Sequence, residues 1–383
     1  MSGKVVFETA TIADALTKAA RIAPSIKEIG SNDSSLVPGI KIECNETQNE
    51  VYICSTDLDL RYSQKVTPLE ISTDDVEWRV PAEVAKYIDT LPKSRGATVE
   101  LSVSEGRLQI VRAHRAGESR GEYPLIASGL FPFWSPYDET NATVVGSLAS
   151  KLESVSWACG DEDAHPEMGG VYLDGYYAWA TNRYVACQIP VDIPALVGNP
   201  ITIPVNKLIG IIRQAGDSLV TGIPSGLGIT PDDFTQIEVT RFASNKFGQM
   251  KDRLPDNTKF NCGVHVNVEQ FKEVHDRITR SLKKSDSTSI TLMVSSDTMA
   301  FSVGNGLSGK ISDAIAITNG PQLPTIMTFN GENLGNAIGK SIGQTAVFCF
   351  NQGEAKQPVH PYVMGGSGYE AWVSPILGGN EGA

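Results

Sequence analysis

No stretch of this chain reaches the ~18 consecutive apolar residues that a membrane-spanning helix needs, and its first residues, Met1-Ser2-Gly3-Lys4-Val5-Val6-Phe7, hold no apolar core of signal-peptide length. No Cys-x-x-Cys pair occurs. The six cysteines, Cys44, Cys54, Cys159, Cys187, Cys262 and Cys349, lie far apart, and four of them sit in apolar strand-like runs. That pattern argues for buried free thiols in a reducing compartment and against a disulfide framework or a zinc site. A cytoplasmic protein is expected, in which the triplets Asn45-Glu46-Thr47 and Asn141-Ala142-Thr143 match glycosylation acceptors only by chance. A basic excess is missing too: 44 acidic against 32 basic side chains give a net charge of -12. A non-specific nucleic-acid coat is thereby disfavoured, although a locally basic surface is not.

Catalytic and cofactor signatures are equally scarce. The histidines His114, His165, His265, His275 and His360 have no neighbouring Ser-, Cys- or Asp-containing motif that would make a triad recognisable. Consecutive side chains diverge in Asp161-Glu162-Asp163-Ala164-His165, so that run reads as a solvated acidic loop rather than a metal site. Gly304-Asn305-Gly306 and Gly365-Gly366-Ser367-Gly368 are turn glycines without the Lys-Ser/Thr ending of a phosphate-cradling loop. No catalytic residue, metal or cofactor is expected.

What the chain does have is length and repetition. Its 383 residues suffice for two or three domains with cores of their own, and 41% apolar with 20% charged residues is the composition of an ordinary globular protein. The stretch Tyr176-Tyr177-Ala178-Trp179-Ala180-Thr181-Asn182-Arg183-Tyr184-Val185-Ala186 has an earlier counterpart in Val51-Tyr52-Ile53-Cys54-Ser55-Thr56-Asp57-Leu58-Asp59-Leu60-Arg61-Tyr62. Each follows a strand that begins with glycine, Gly39 to Glu43 and Gly170 to Asp174, whose alternation predicts half-buried strands.

In chain order, Thr11 to Ile22 reads as a helix capped by Thr11 and stopped by Pro24, and 81–92 as a second helix with Pro81 at its start. A hairpin follows over Ser104-Glu105-Gly106. The same order resumes with helices at 147–158 and 204–215. It resumes again with 267–284, a hairpin over Ser295-Ser296-Asp297, a helix at 331–341, and closing strands at Thr345–Phe350 and Glu370–Ser374. Units of this size are whole tandem domains rather than solenoid repeats. They are expected at 1–133, 134–257 and 258–383.

The triplicated order of elements, Ser55-Thr56-Asp57-Leu58-Asp59-Leu60, its echo Ala180-Thr181-Asn182-Arg183-Tyr184-Val185-Ala186, Phe329-Asn330 before a helix, and the ending Ser374-Pro375-Ile376 resemble the bacterial β sliding clamp, the processivity factor of the replicative DNA polymerase. The resemblance spans nearly the whole chain, with departures. Where the family reads Ala-Thr-Asp-Gly-His-Arg-Leu-Ala, this chain is one residue shorter, and the family's terminal Met-Pro-Met-Arg-Leu is Ser374-Pro375-Ile376-Leu377. Such departures suit a divergent copy, as of a phage or mobile element. The resemblance implies an α+β chain of three tandem clamp domains, each with two helices on antiparallel sheets, closing as a head-to-tail homodimeric ring with helices lining the hole. It further implies a non-catalytic protein that encircles double-stranded DNA without regard to sequence, tethers DNA polymerase and other proteins through a clamp-binding peptide, and is opened by an ATP-dependent clamp loader. An enzyme of unrecognised type, such as a hydrolase with a site between domains, and a viral assembly protein are the competing classes.

Charge placement bears on the choice. The six expected helices hold twelve Lys/Arg and eight Asp/Glu, a surplus of four in an acidic chain, which suits attraction to phosphate inside a hole. The competing explanation is that Lys and Arg are good helix formers. Carried over residue by residue, the resemblance assigns a partner-peptide pocket to Met168, Gly170, Thr181, Val185, Leu254, Pro255, Val359, Pro361, Pro375 and Ile376. It assigns the DNA-facing surface to Arg21, Lys27, Lys86, Lys207, Arg213, Lys272, Arg277 and Lys340, and the ring interface to Arg120 and Glu122 of a late strand meeting Ile278 and Leu282.

Overall fold

The computed structural model describes residues 3–24, 39–73, 76–114, 117–126, 131, 137, 139–161, 168–242, 254, 260–280, 289–304, 311–352 and 361–376. Among them are six helices: α1 (Thr9–Ile22), α2 (Glu83–Thr90), α3 (Leu148–Ser156), α4 (Asn206–Ile212), α5 (Val268–Arg280) and α6 (Gly331–Gly339). With the strands they read three times as strand, helix, three strands, strand, helix, three strands; the first repeat adds the short strand Glu70–Ser72 and the second a 3-10 turn at Pro194–Leu196. This is the expected α+β triplication.

Two compact units form, one from 1–149 with 206–241, the other from 150–205 with 242–383. The first holds a five-stranded antiparallel sheet, in the order Glu70–Ser72, Lys4–Glu8, Thr98–Ser104, Arg107–His114, Gly117–Pro124. Its other sheet has eight strands, running from Thr143–Gly146 through 217–223, 226–232 and Thr235–Thr240 to Leu60–Val66, then 50–56, Ile40–Asn45 and Val76–Val80. A single twelve-stranded sheet makes the second unit, with Ile201–Ile203 at one edge and Thr325–Asn330 at the other.

The cores follow the two periods. In Leu60–Val66 every second side chain is buried, Leu60, Tyr62, Gln64 and Val66, as a strand with one covered face requires. Helix α1 turns Ile12, Leu16, Ala19 and Ile22 inward, each large aliphatic chain contributing about 1.5–3 kcal/mol of burial, and its Ala15 carbonyl accepts from the Tyr62 hydroxyl at 3.4 Å. Two expectations fail locally. Thr11 caps nothing, because α1 already starts at Thr9 behind Glu8 with no side-chain cap. Val171–Leu173 is buried on both faces rather than half-buried.

The duplicated words form one turn built twice. Leu58 and Arg183 take left-handed backbone, φ 80° and 78°, which costs a non-glycine residue roughly 1–2 kcal/mol. The preceding side chains hold it: Asp57 Oδ1 accepts from the N–H groups of Asp59 and Leu60, and Asn182 Oδ1 from those of Tyr184 and Val185. Glycine is the residue that adopts this backbone without cost, and neither copy has it here.

Strands from successive repeats then join edge to edge. Leu60–Val66 pairs with Thr235–Thr240, Leu60 opposite Val239; Val185–Pro190 pairs with Glu370–Val373, Val185 opposite Val373. At both joints the residue after Val239 or Val373 bonds back to the hairpin, Thr240 N–H to Asp59 O at 2.7 Å and Ser374 N–H to Tyr184 O at 2.8 Å. A further return recurs in all three repeats: Ile126 N–H to Arg79 O, Phe242 N–H to Thr202 O and Ile376 N–H to Thr328 O, at 2.9, 2.8 and 2.7 Å. Because the joints make continuous sheets, the second repeat is shared between the two compact units.

Cys44, Cys54, Cys187 and Cys349 are buried free thiols, as expected, while Cys159 and Cys262 are half-buried. Burial pushes Cys44 up to about 12, and Cys54 and Cys349 up to about 11. An unfolded thiol ionises near 8.5, so these groups favour the fold fully below that pH, and their contribution is lost as pH rises from about 8.5 towards 11–12. The expected result is a thermal midpoint that falls steadily above pH 9, with thiol titration at pH 8 reaching the four buried cysteines only after unfolding.

Candidate partner site and basic helix ends

The partner-pocket candidates lie in the second unit, around the second joint. The Thr181 hydroxyl donates to Val185 O at 2.6 Å, closing the Thr181–Val185 turn. Thr181 stands opposite Ala186, and Val185 opposite Val373. Opposed residues share a face and neighbours along a strand alternate, so Thr181 and Val185 point to opposite sides of the sheet. Pro375 bridges to Phe329, which carries Ile376 onto the edge strand Thr325–Asn330. Tyr184 and Ile376 are left exposed, at 68% and 42%. Pro361 lies on the side of Glu370–Val373 away from the joint, its carbonyl accepting from Val373 N–H at 2.9 Å.

Two other candidates have structural duties. Met168 is buried, and its carbonyl accepts from Gly160 N–H at 2.8 Å. Gly170 faces the returning chain: a Cβ there would collide with the Ile203 carbonyl oxygen and lie 2.6 Å from the Phe242 ring. Leu254 packs on a cluster the sequence reading missed, Tyr172, Trp179, Ala186, Cys349, Tyr362 and Trp372. Within it the Trp179 and Trp372 rings stack at 6.0 Å and 13°. Alternation in the Tyr177–Thr181 and Glu370–Val373 segments contained that signal. Pro255 and Val359 lie outside the described residues.

Of the basic candidates Arg21, Lys207, Arg213, Arg277 and Lys340 lie at helix ends, and Lys86 and Lys272 lie within α2 and α5. Within their described bounds the helices hold Lys18, Arg21, Lys86, Lys151, Lys207, Lys272, Arg277 and Arg280 against Asp14, Glu83, Asp89, Glu153, Glu269, Glu273, Asp276 and Glu332; of the four surplus cations expected, Arg213 and Lys340 fall just beyond their helices, and Lys283 and Lys284 lie outside the described residues. Arg213 and Lys340 follow the last turns of α4 and α6, where the helix dipole favours a cation. Lys27, Lys283 and Lys284 lie outside the described residues, as do Leu282, 162–167 of the acidic run and 305–306 of the first glycine turn.

In the first unit α1, α2 and α4 border a cleft of about 360 Å3 lined by Asp14, Thr17, Lys18, Arg21, Asp89, Lys93 and Arg213, among others. Lys18 pairs with Asp14 at 2.7 Å and Lys93 with Asp89 at 2.5 Å. Arg21 donates to the Gly210 carbonyl, one of the last-turn acceptors of α4. Lys207, exposed on α4, pairs with Asp57 at 2.5 Å, while Lys86 is exposed on α2. In the second unit Lys272 lies along Gly339, close to Lys340. Arg277 donates from Nε and Nη2 to Asp313 Oδ2 at 2.9 and 2.7 Å, which holds that carboxyl below the usual carboxylate range.

Of the interface candidates, Arg120 and Glu122 lie exposed on Gly117–Pro124, an edge strand, paired within the chain to Glu118 and Arg107. Ile278 does not reach the surface: at 1% exposure it belongs, with Phe271 and Val274, to the stripe α5 turns to its own core. Among the described residues no group of three or more His, Cys, Asp and Glu is placed to hold a metal, and no helix is long and apolar enough to cross a membrane.

No family model matches the chain, and no curated protein matches it. Solved structures do. The DNA polymerase III β subunit of Thermotoga maritima superposes with a TM-score of 0.81 at 17% identity, over 98% of this chain and 100% of that one. The sliding clamp of Bartonella birtlesii, solved bound to griselimycin, gives 0.80 at 17% over 99% and 100%, and the Caulobacter crescentus polymerase III β gives 0.76 at 19% over 98% and 100%. With the triplicated element order and the repeated strand joints, these likenesses establish that the chain has the DNA-clamp fold of the bacterial β sliding clamps.

Proposed function

We propose that two copies of this chain close head to tail into a ring that encircles duplex DNA without reading its sequence, and that the ring tethers a DNA polymerase and other DNA-processing proteins through their clamp-binding peptides. It is a non-catalytic cytoplasmic processivity factor without a cofactor, opened by an ATP-dependent clamp loader, and its three clamp domains are 1–133, 134–257 and 258–383. The observation that carries this reading is the end-to-end likeness to the Thermotoga β subunit, 98% of one chain on 100% of the other.

The joints support the ring independently. Each in-chain joint places Ser63 or Gln188, which faces Cys54 or Trp179 within its own hairpin, opposite the residue six before the returning N–H, Gln236 or Glu370. The equivalent residue of the third repeat is Ser312, which faces Ser302, and the return of Gly117–Pro124 is Ile126, so the same rule sets Ser312 of one copy opposite Arg120 of another. Ile311 then meets Gly121, and Ala314 meets Glu118. An open sheet edge is a liability that a symmetric partner removes. The partner strand is thus Ile311–Thr318 rather than the 277–284 stretch, with α5 tied to it through Arg277 and Asp313.

Arg21, Lys86, Lys207, Arg213, Lys272, Arg277 and Lys340, together with Lys18 and Lys93 of the cleft, are the cations offered to phosphate. Backbone contacts without base readout permit sliding. The hairpin Thr181–Val185 with Tyr184, Ser374, Pro375 and Ile376 forms the partner-peptide site, where exposed apolar side chains flank backbone polar groups.

Topological binding is the test. Loaded protein is expected to stay on nicked circular DNA and to run off within seconds of linearisation, while free protein has a solution mass near twice 41.1 kDa. Equal retention on circular and linear DNA, or a monomer at micromolar concentration, sinks the reading.

A further inference from the structure

Met293 and Ile326 stand directly opposite one another on Ser289–Val294 and Thr325–Asn330, with 47% and 66% of their surfaces exposed. The next pair on that face is Thr291 and Thr328, whose hydroxyls lie 3.1 Å apart. Thr328 O accepts the return of Ile376 as Arg79 O accepts Ile126 and Thr202 O accepts Phe242. The cross-strand pairs Lys41/Arg79, Tyr172/Thr202 and Thr291/Thr328 are therefore equivalent.

Two residues along, the positions of Met293 and Ile326 are Glu43 and Glu77 in the first repeat, and Asp174 and Pro200 in the second. The first repeat fills this corner with an ion-pair network, Lys41 to Glu43 at 2.7 Å and to Glu77 at 4.0 Å. Large exposed aliphatic side chains are thus not a demand of the fold; they are particular to the third repeat.

The first two repeats also show what lies on this face. The Phe131 ring sits over both cations of its pair, 5.1 Å from Lys41 Nζ and 5.4 Å from Arg79 Cζ. In the second repeat Leu254 packs on the cluster that contains Tyr172. Both are large apolar side chains delivered by the chain beyond the repeat's last strand; the first covers the pair itself, and the second joins the cluster of which Tyr172 is part.

We infer that Thr291, Thr328, Met293 and Ile326 form a docking surface for a segment of a partner protein that presents an aromatic or large aliphatic side chain, as Phe131 and Leu254 do in the other repeats. The surface shares no residue with the partner-peptide site but adjoins its Ile376, whose N–H bonds to Thr328 O, and it stands whether or not the protein encircles DNA.

A peptide with the sequence of residues 125–137, which carries Phe131, Phe133 and Trp134, serves as the probe, read by 13C-methyl NMR of Met- and Ile-labelled full-length protein. Saturable shifts of the Met293 and Ile326 methyls are expected. Serine in place of Phe131, Phe133 and Trp134 in the peptide should weaken them by at least about tenfold. So should M293E with I326E, which restores the glutamates of the first repeat. No shift up to about millimolar peptide, or shifts that survive both the serine peptide and the double variant, would overturn the proposal. Methyl shifts that grow with protein concentration in the absence of peptide would overturn it in favour of a second copy of the chain.

Discussion

Lysine at both Tyr123 and Ile311 is expected to turn the dimer into 41.1 kDa monomers and to abolish retention on nicked circles. In the proposed register Ile311 faces Gly121 and is the diagonal neighbour of Tyr123 on the same face of the intermolecular joint, within reach of long side chains; each is half-buried to exposed in the isolated chain, and Tyr123 rests against Tyr87 with ring centroids 6.2 Å apart. Two like charges side by side there, in place of two apolar side chains, cost about 4 kcal/mol, roughly a thousandfold in dissociation constant. The charge-swapped pair, Tyr123→Lys with Ile311→Glu, is expected to recover most of the association. Cysteine at both Arg120 and Ser312, the directly opposed pair, should give a band near twice the chain mass on a non-reducing gel, since directly opposed strand residues lie within disulfide reach. A double-lysine protein that still sediments as a dimer would place the interface elsewhere.

The second large effect is steric and needs no partner. Gly39→Ala and Gly170→Ala are each expected to lose about 2–4 kcal/mol of stability, beyond the average of a point substitution. At Gly39 the new Cβ would collide with the Val80 carbonyl oxygen, lie 2.5 Å from Ile126, and demand φ +82° of a residue with a side chain; at Gly170 the obstacles are the Ile203 carbonyl and Phe242. Backbone cannot step aside as a side chain can. Urea unfolding measures both, and wild-type midpoints for the two variants would show that the returning segments are not seated as described.

That glycine pair shows what could be read in advance. The sequence reading found Gly39 and Gly170 as the heads of equivalent strands, and the duplicated Thr-Asp/Asn words between the next two, because short-range repetition is visible in letters. It gave Gly170 to the partner site, however, since the reason for a glycine, a carbonyl from a strand some thirty residues on, is not local. Ile278 failed likewise: Phe271, Val274 and Ile278 at helical spacing mark an apolar stripe, and a stripe does not say whether it faces its own core or another chain. Two cations of the expected basic surplus, Arg213 and Lys340, sit one residue beyond their helices, within the usual uncertainty of helix ends. Asp217–Ile223 and Gly226–Asp232 went unseen because Gly, Thr and Pro blur their alternation. The register between Leu60 and Val239 joins residues so far apart in the chain that no local pattern announces it.

The joint made twice inside the chain has a consequence in mass-action terms. Leu60 and Val239 meet as parts of one covalent molecule, as do Val185 and Val373, at the effective concentration that a covalent connection enforces. In the proposed ring a third copy of the joint, between Ile311–Thr318 and Gly117–Pro124 of different molecules, would have no such connection and would answer to the actual protein concentration. Of three such seams dilution would open only the intermolecular one, and whatever opens the proposed ring would need to act on that seam alone.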